Sequence, residues 1–553
     1  MKKNVSFPVP QWITVLLLAA VAILCYIPFS SLGFTCGDDL ENYLITRQGW
    51  AYCWEHAQQL AAQQGRFYFL LAHPCYDLAW AIDDWGYTHA LQYGTLLLSY
   101  LLFSRLLMLL FRSQPLAYLV LLLLMILTPI TANNHMPFMA YPFVFAFSCS
   151  LMWGALIQYL RYCRQTKRWR LLLSALLFFA AALFYETYIL FILLLCLFIV
   201  ARYWRKEGFL SMWRSRSFYT ELLTYVGVIL IYMLLYIGYR AYQLHLNPEA
   251  AFYAGASVSD QFSWAHFFRI LGRCTRIVLP MQNFHYYHEV CTLNYPGEGA
   301  VDSALFALTH APLRVYILAL LVGVVGYGMV RGLQLQRWTL ETLLWAIAIA
   351  IGVSFLAHTL IGITPKYNNE WYLWMRGYVT SYFSYFGITM AVALLGVLML
   401  WLLRSHTKLL QWAYLGIAAV LMVMTIIVGY ANENLSREWQ RSESRFDEID
   451  RLSSEGLFQS LPTDAILYTE DLYSSSVWGS TLTKENDYID QYIVMRSGRT
   501  LQCANSKEQF ELLCSQSPQS PIYHIQQIEM PQTAQVEVSI QPMSKSFNNE
   551  INN

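Results

Sequence analysis

Stretches of about 20 consecutive apolar residues, the length a helix needs to cross a hydrocarbon core of roughly 30 Å, dominate this chain. They fall at 11–34, 88–111, 115–132, 139–160, 220–242, 312–331, 338–361, 377–403 and 409–430. So many runs of that length exclude a soluble globule. Composition agrees: 57% of the 553 residues are hydrophobic and only 13% are charged, against about 25% charged in soluble domains. The 36 Lys and Arg against 35 Asp and Glu give a net charge of +1, which points to no nucleic acid or acidic polymer. Eleven cysteines in this length exclude a disulfide-stapled scaffold.

The remaining apolar stretch, 171–203, is too long for one ordinary crossing and has basic clusters on both sides. Arg161, Arg164, Lys167, Arg168 and Arg170 precede it, and Arg202, Arg205, Lys206, Arg214 and Arg216 follow. Because Lys and Arg gather in cytoplasmic loops, both clusters belong on one side and the stretch is expected to cross twice. The hairpin turn falls at Tyr185-Glu186-Thr187. A single tilted helix would strand Glu186 in mid-membrane. The expected fold is an all-α polytopic membrane protein of about eleven transmembrane helices with a small C-terminal exoplasmic α/β domain. The N-terminal run is too long for a cleavable signal peptide and ends in no small-residue cleavage site.

This topology gives two domains, 1–430 in the membrane and 431–553 outside it, with outward loops 35–87 and 243–311. Amphipathic stretches at 50–71 and 262–278 are expected to lie in the interface. In the tail, 435–452 reads as a charged helix. The runs 465–468, 491–495 and 534–538 read as strands, and the last ten residues as disordered. No internal repeat of fixed period is present, so the matched broken helices of inverted-repeat transporters are not evident.

Gly37-Asp38-Asp39-Leu40-Glu41 follows the first span directly. Three carboxylates this close raise at least one pKa, and such a cluster suits a general base; the same acids also suit an ordinary helix start. Asn133, Asn134, His135 and Tyr141 form a short turn whose side chains can hydrogen-bond a sugar or simply close the turn. His285, His288 and Glu289 supply too few ligands for a zinc site of known spacing. The Trp371-Tyr372-Leu373-Trp374 run suits an interfacial belt or stacking on a sugar ring. Cys503 with Cys514 is the disulfide expected among the outward cysteines.

The chain resembles the GT-C superfamily of integral-membrane glycosyltransferases, and within it bacterial O-antigen glucosyltransferase-like polytopic proteins. The resemblance rests on a long first span followed by Gly37-Asp38-Asp39, then Gln64-Gly65-Arg66, Tyr185-Glu186-Thr187 in the hairpin, and Arg376-Gly377-Tyr378 with Thr380-Ser381-Tyr382 opening a late helix. It implies a transferase moving a sugar from a polyprenyl-phosphate donor to a cell-envelope glycan or lipid acceptor, such as lipopolysaccharide, on the periplasmic side of a bacterial inner membrane. Asp38 and Asp39 then supply the base and orient the acceptor, with the division between them open. Arg66, Arg376 and Lys366 are the candidates to stabilise the departing phosphate, arginine being the better match to its oxygens. Glu186 shapes the sugar or acceptor pocket, with Tyr378, Asn134 and His135 as further substrate contacts. No organic cofactor is implied, and a divalent metal between the aspartates and a phosphate stays open. The rival readings are a lipid-linked oligosaccharide flippase or transporter, an O-antigen polymerase using the Arg-bearing 243–311 loop, and a scaffold without catalysis.

Overall fold

The computed structural model describes residues 11–131, 135–249, 252–278, 300–373, 377–473, 486–530 and 535–543. Helix α1 (Gln11–Tyr26) is followed by three short helices, α2 (Gly37–Arg47), α3 (Trp50–Gln64) and α4 (Phe69–Asp77). The bundle continues with α5 (Trp85–Phe111), α6 (Gln114–Ile126), α7 (Val144–Gln165), α8 (Arg168–Phe184), α9 (Ile192–Glu207) and α10 (Arg216–Leu246). After α11 (Trp264–Arg276) come α12 (Leu313–Arg331), α13 (Leu340–Leu356), α14 (Ser381–Leu402) and α15 (Thr407–Ser454).

Among the described residues, seven helical segments are long and apolar enough to cross a membrane, fewer than the eleven crossings expected. The difference has a physical cause at α6. It has only 13 residues, short of the roughly 20 usual for a crossing, and every side chain from Leu119 to Ile126 is buried inside the protein. Helix α13 is apolar but 17 residues long, and α8 starts with Arg168 and Arg170 in its first turn.

The chain breaks at the expected hairpin turn. Tyr185 is extended (φ −160°, ψ 125°), and a 3-10 segment Glu186–Phe191 leads into α9. The two arms return to the same end of the bundle, as side-chain contacts with α10 show. Ser174, early in α8, meets the Tyr225 hydroxyl at 2.7 Å. At the end of α9, Arg202 and Tyr203 donate to Glu221 at 2.7 and 2.8 Å, and Tyr159 of α7 donates to the same carboxylate at 2.8 Å. Glu221 is fully buried, so its charge is held by one guanidinium and two phenols.

Helix α15 runs unbroken for 48 residues from the apolar bundle into the tail. There α16 (Tyr488–Ser497), α17 (Lys507–Gln516) and four strands, β1 (Ile466–Tyr468), β2 (Gln502–Ala504), β3 (Ile522–Met530) and β4 (Gln535–Met543), form a mixed sheet of order β2-β1-β3-β4. Strand β1 pairs parallel with β2 and β3, while β3 and β4 are antiparallel. The run 491–495, expected as a strand, is helical. Ile489, Tyr492 and Ile493 are its buried apolar residues, an i, i+3, i+4 spacing that fits one face of a helix better than a pleat. The Cys503–Cys514 disulfide does not form; both are free thiols. Cys503 packs with Leu467 and Ile525, whereas Cys514 packs with Ile466, Tyr468 and Phe510. Adjacent strand residues point to opposite faces, so the sheet separates the two sulfurs.

The tail is welded to α2–α4. Phe34, Leu40, Tyr43 and Trp80 share one buried cluster with Ile449, Leu467, Ile489 and Tyr492. Phe34 and Phe446 meet edge to face at 5.2 Å, Arg496 pairs with Asp83 at 2.9 Å, and Tyr488 donates to Glu41 at 2.8 Å. This shared core fixes α2, and therefore the aspartate pair, against the end of the bundle.

Candidate functional site

Helix α2 begins immediately after Cys36, which is extended and caps nothing with its side chain. Asp38 and Asp39 occupy its first turn, where the helix dipole favours negative charge. Successive residues on a helix point about 100° apart, and that rotation separates the two acids. Asp38 lines a cavity of about 360 Å³. Asp39 is 1% exposed; its Oδ1 accepts the Tyr141 backbone N–H at 3.0 Å and the Tyr76 hydroxyl, and its Oδ2 accepts from Thr35 at 3.3 Å. Burial pushes the Asp39 carboxyl up to about 6, although the Tyr76 and Tyr141 donors pull it back.

Tyr141 connects the two acids, since its own hydroxyl donates to Asp38 Oδ2 at 2.9 Å. Its backbone is left-handed (φ 56°), as is that of Phe143 (φ 77°), conformations uncommon for residues with a side chain. The Asp39 carboxylate at Tyr141 N–H and the Gln92 amide oxygen at Phe143 N–H hold this strained turn.

On the cavity's second side, α3 ends at Gly65, left-handed at φ 64°, and the chain turns to project Arg66. The guanidinium lies 4.5 Å from the Tyr68 ring centre and binds Glu186 through two bonds of 2.8 Å. The side chains are 12% and 17% exposed. Burial opposes the charge of Arg66, but Glu186 overrides it and its pKa is raised. A phosphate site at Arg66 and a sugar site at Glu186, expected separately, are thus one ion pair. A Cβ at Gly65 would stand 2.7 Å from the Phe252 ring. Gly65→Ala is therefore expected to destabilise by about 1–2 kcal/mol from its backbone alone, measurable as a lower midpoint in denaturant for the detergent-solubilised protein.

The third side carries Lys366, His135 and Tyr378. Lys366 opens a π-helical turn, Lys366–Glu370. Its Nζ donates to the Tyr253 hydroxyl at 2.5 Å and lies 4.5 Å from the Trp371 ring centre, and it has no carboxylate partner among the described residues. His135 stacks on Tyr378 with ring centres 5.9 Å apart. Burial lowers its pKa, partly against the pull of Asp38. Arg376 and Asn134 lie outside the described residues, as do His285, His288 and Glu289. Among the described residues no three His, Cys, Asp or Glu side chains come together as a metal site, and Asp38 and Asp39 themselves face different ways.

The sequence reading missed His73, Tyr76 and Tyr253. His73 Nδ1 lies 3.2 Å from the Asn42 amide oxygen, and burial drives it down to about 3, so it is a neutral cavity wall. His73 and Tyr76, spaced by three on α4, share a helix face; nothing in the sequence singles out Tyr253. A second, largely apolar cavity of about 410 Å³ adjoins the first and shares Arg66, Tyr185, Gly255 and Ile361 with it. The arrangement offers the Asp38 carboxyl group, the Lys366 amine and many aromatic faces around one cavity.

No family model matches the chain, and no curated protein matches it. Solved structures to which it is similar include ArnT from Cupriavidus metallidurans bound to undecaprenyl phosphate. The identity is 13%, the alignment covers 96% of this chain and 98% of that one, and the TM-score is 0.40. The apo state of the same protein gives 13% identity, coverages of 96% and 97%, and a TM-score of 0.38.

Proposed function

We propose that this chain is a GT-C-type membrane glycosyltransferase that moves a sugar from a polyprenyl-phosphate donor to a cell-envelope glycan or lipid acceptor. The observation that carries the reading is Asp38, presented from the first turn of α2 to a cavity of mixed polar and aromatic lining and held there by the Tyr141 hydroxyl, while Asp39 is buried behind it. In this reading Asp38 is the base. The acceptor hydroxyl gives its proton to Asp38 as its oxygen bonds to the anomeric carbon, and the bond from that carbon to the phosphate oxygen breaks. The electron pair leaves with the polyprenyl phosphate, whose charge develops against Lys366, with Arg376 as the second candidate cation. One in-line displacement inverts the anomeric centre. Asp39 is a positioning residue, acting through Tyr141.

The apolar second cavity, bordered by Tyr232, Met233 and Tyr236 of α10, suits the first isoprene units of the donor. Aromatic walls such as Tyr68, Tyr367 and Trp371 suit sugar rings. We assign this cavity and the tail to the periplasmic side of a bacterial inner membrane and the arginine-rich end to the cytoplasm, with eleven crossings when the hairpin arms and the short helices are counted. A flippase would need a polar path through the bundle. Here Tyr100, Trp153 and Phe386 belong to a continuous buried apolar cluster, which favours transfer over transport.

The test of Asp39 is its pH dependence. Its folded pKa of about 6 stands above the ordinary 3.8, so the folded state holds the proton more tightly. The stability this contributes is fully present below about pH 3.8 and is lost as pH rises through 6. Wild type is expected to lose about 3 kcal/mol relative to Asp39→Asn across that window. Denaturant midpoints of both proteins between pH 4 and 7.5 measure it; parallel curves would mean that Asp39 ionises normally.

A further inference from the structure

A third cavity, about 570 Å³ in volume, lies at the other end of the bundle among α5, α7, α9, α13 and α14. Val144 borders the site described above and Arg164 borders this one. The two residues are 20 positions apart on α7, about 30 Å of helix. The walls are largely apolar, with Trp153, Phe198 and Trp345 among them, and the rim carries Arg112, Arg164, Arg202 and Arg205. Arg202 is matched by Glu221 at 2.7 Å. Arg164 donates to the Leu109 carbonyl. Arg112 and Arg205 make no ion pair among the described residues. The rim therefore holds three cations without a counter-charge among those residues, above a largely apolar pocket.

We propose that this cavity is a binding site for one anionic glycerophospholipid, its phosphate between Arg112, Arg164 and Arg205 and an acyl chain along Phe198 and Trp345. Charge complementarity sets the headgroup, because guanidinium groups match phosphate oxygens in two-pronged bonds. Position sets the source. The cavity opens between α5, α9 and α14, which are long and apolar enough to cross a bilayer, and basic pockets between membrane helices take anionic lipid headgroups. A volume of 570 Å³ lies within the range of about 300–1,000 Å³ for small-ligand cavities. The inference stands independently of the transferase reading.

The test is native mass spectrometry of the full chain released from vesicles of equal phosphatidylglycerol and phosphatidylcholine, with and without added undecaprenyl phosphate. Wild type is expected to retain one phosphatidylglycerol. Arg112→Gln with Arg205→Gln is expected to lower the ratio of lipid-bound to lipid-free protein about thirtyfold, each arginine near an anionic headgroup being worth about a fivefold change. Ala346→Phe, which fills the acyl space and leaves the rim intact, is expected to lower it too. Equal retention by the double arginine variant, equal binding of phosphatidylcholine, or an arginine-dependent adduct with the mass of undecaprenyl phosphate would each overturn the assignment.

Discussion

Replacing Asp38 by asparagine is expected to lower kcat by about 10²–10⁴-fold, the usual contribution of a positioned general base, with little change in KM for the donor. The substitution keeps the shape, and the amide oxygen of the new side chain can still accept the Tyr141 hydroxyl that now bonds Asp38 at 2.9 Å. Asp38 is half-buried rather than sealed, so the protein should fold as wild type. Release of polyprenyl phosphate from a polyprenyl-phosphate sugar, followed with purified protein in liposomes, reports the effect. Asp39→Asn gives the contrast. Asp39 faces Thr35, Tyr76 and the Tyr141 backbone, so its loss acts through the turn, and addition of Tyr141→Phe should cost little more. An Asp38→Asn protein with wild-type kcat would remove the base from this account.

The second large effect is expected at Arg66 and Glu186. Glu186→Gln leaves a largely buried guanidinium without its counter-charge and is expected to destabilise by about 3–5 kcal/mol, as is usual when one member of a buried pair is removed. Replacing both by leucine removes the unpaired charge, so the double variant should recover much of that loss. The double-mutant cycle in denaturant therefore shows strong coupling. Both the single and the double variants should lose transfer activity, because the pair stands where the polar and apolar cavities meet. Glu186→Gln with wild-type stability would mean that Arg66 is satisfied by other groups.

Much of the architecture could be read from the chain because membrane physics leaves few choices. Two basic clusters around 171–203 required an even number of crossings, and the break at Tyr185 lies where the turn was expected. Hydropathy cannot distinguish lipid from protein around α6, whose apolar residues are buried on all sides. In the tail, the short β-prone apolar run in 491–495 hid a helical spacing that begins two residues earlier, at Ile489. At the site, the aspartate pair, Glu186, Arg66 and Lys366 were visible as residues, but their partnerships were not. Arg66 and Glu186 are 120 positions apart, with only a pocket boundary to join them. Which aspartate faces the cavity depends on the rotation of α2 about its axis, which is set by packing of Leu40, Tyr43 and Leu44 against the tail. The left-handed Tyr141 that links the acids carries no sequence signal, since glycine or asparagine would be the usual residue there.

Addition of a sugar to an envelope acceptor by Asp38 would be seen in mass spectra of cell-envelope glycans. The strains are the native host, a deletion strain, and the deletion strain carrying wild-type or Asp38→Asn protein at equal abundance. One defined sugar mass is expected to disappear on deletion, to return with wild type and not to return with Asp38→Asn. Full return with Asp38→Asn, loss of whole polymer chains, or glycans unchanged by deletion would contradict that expectation.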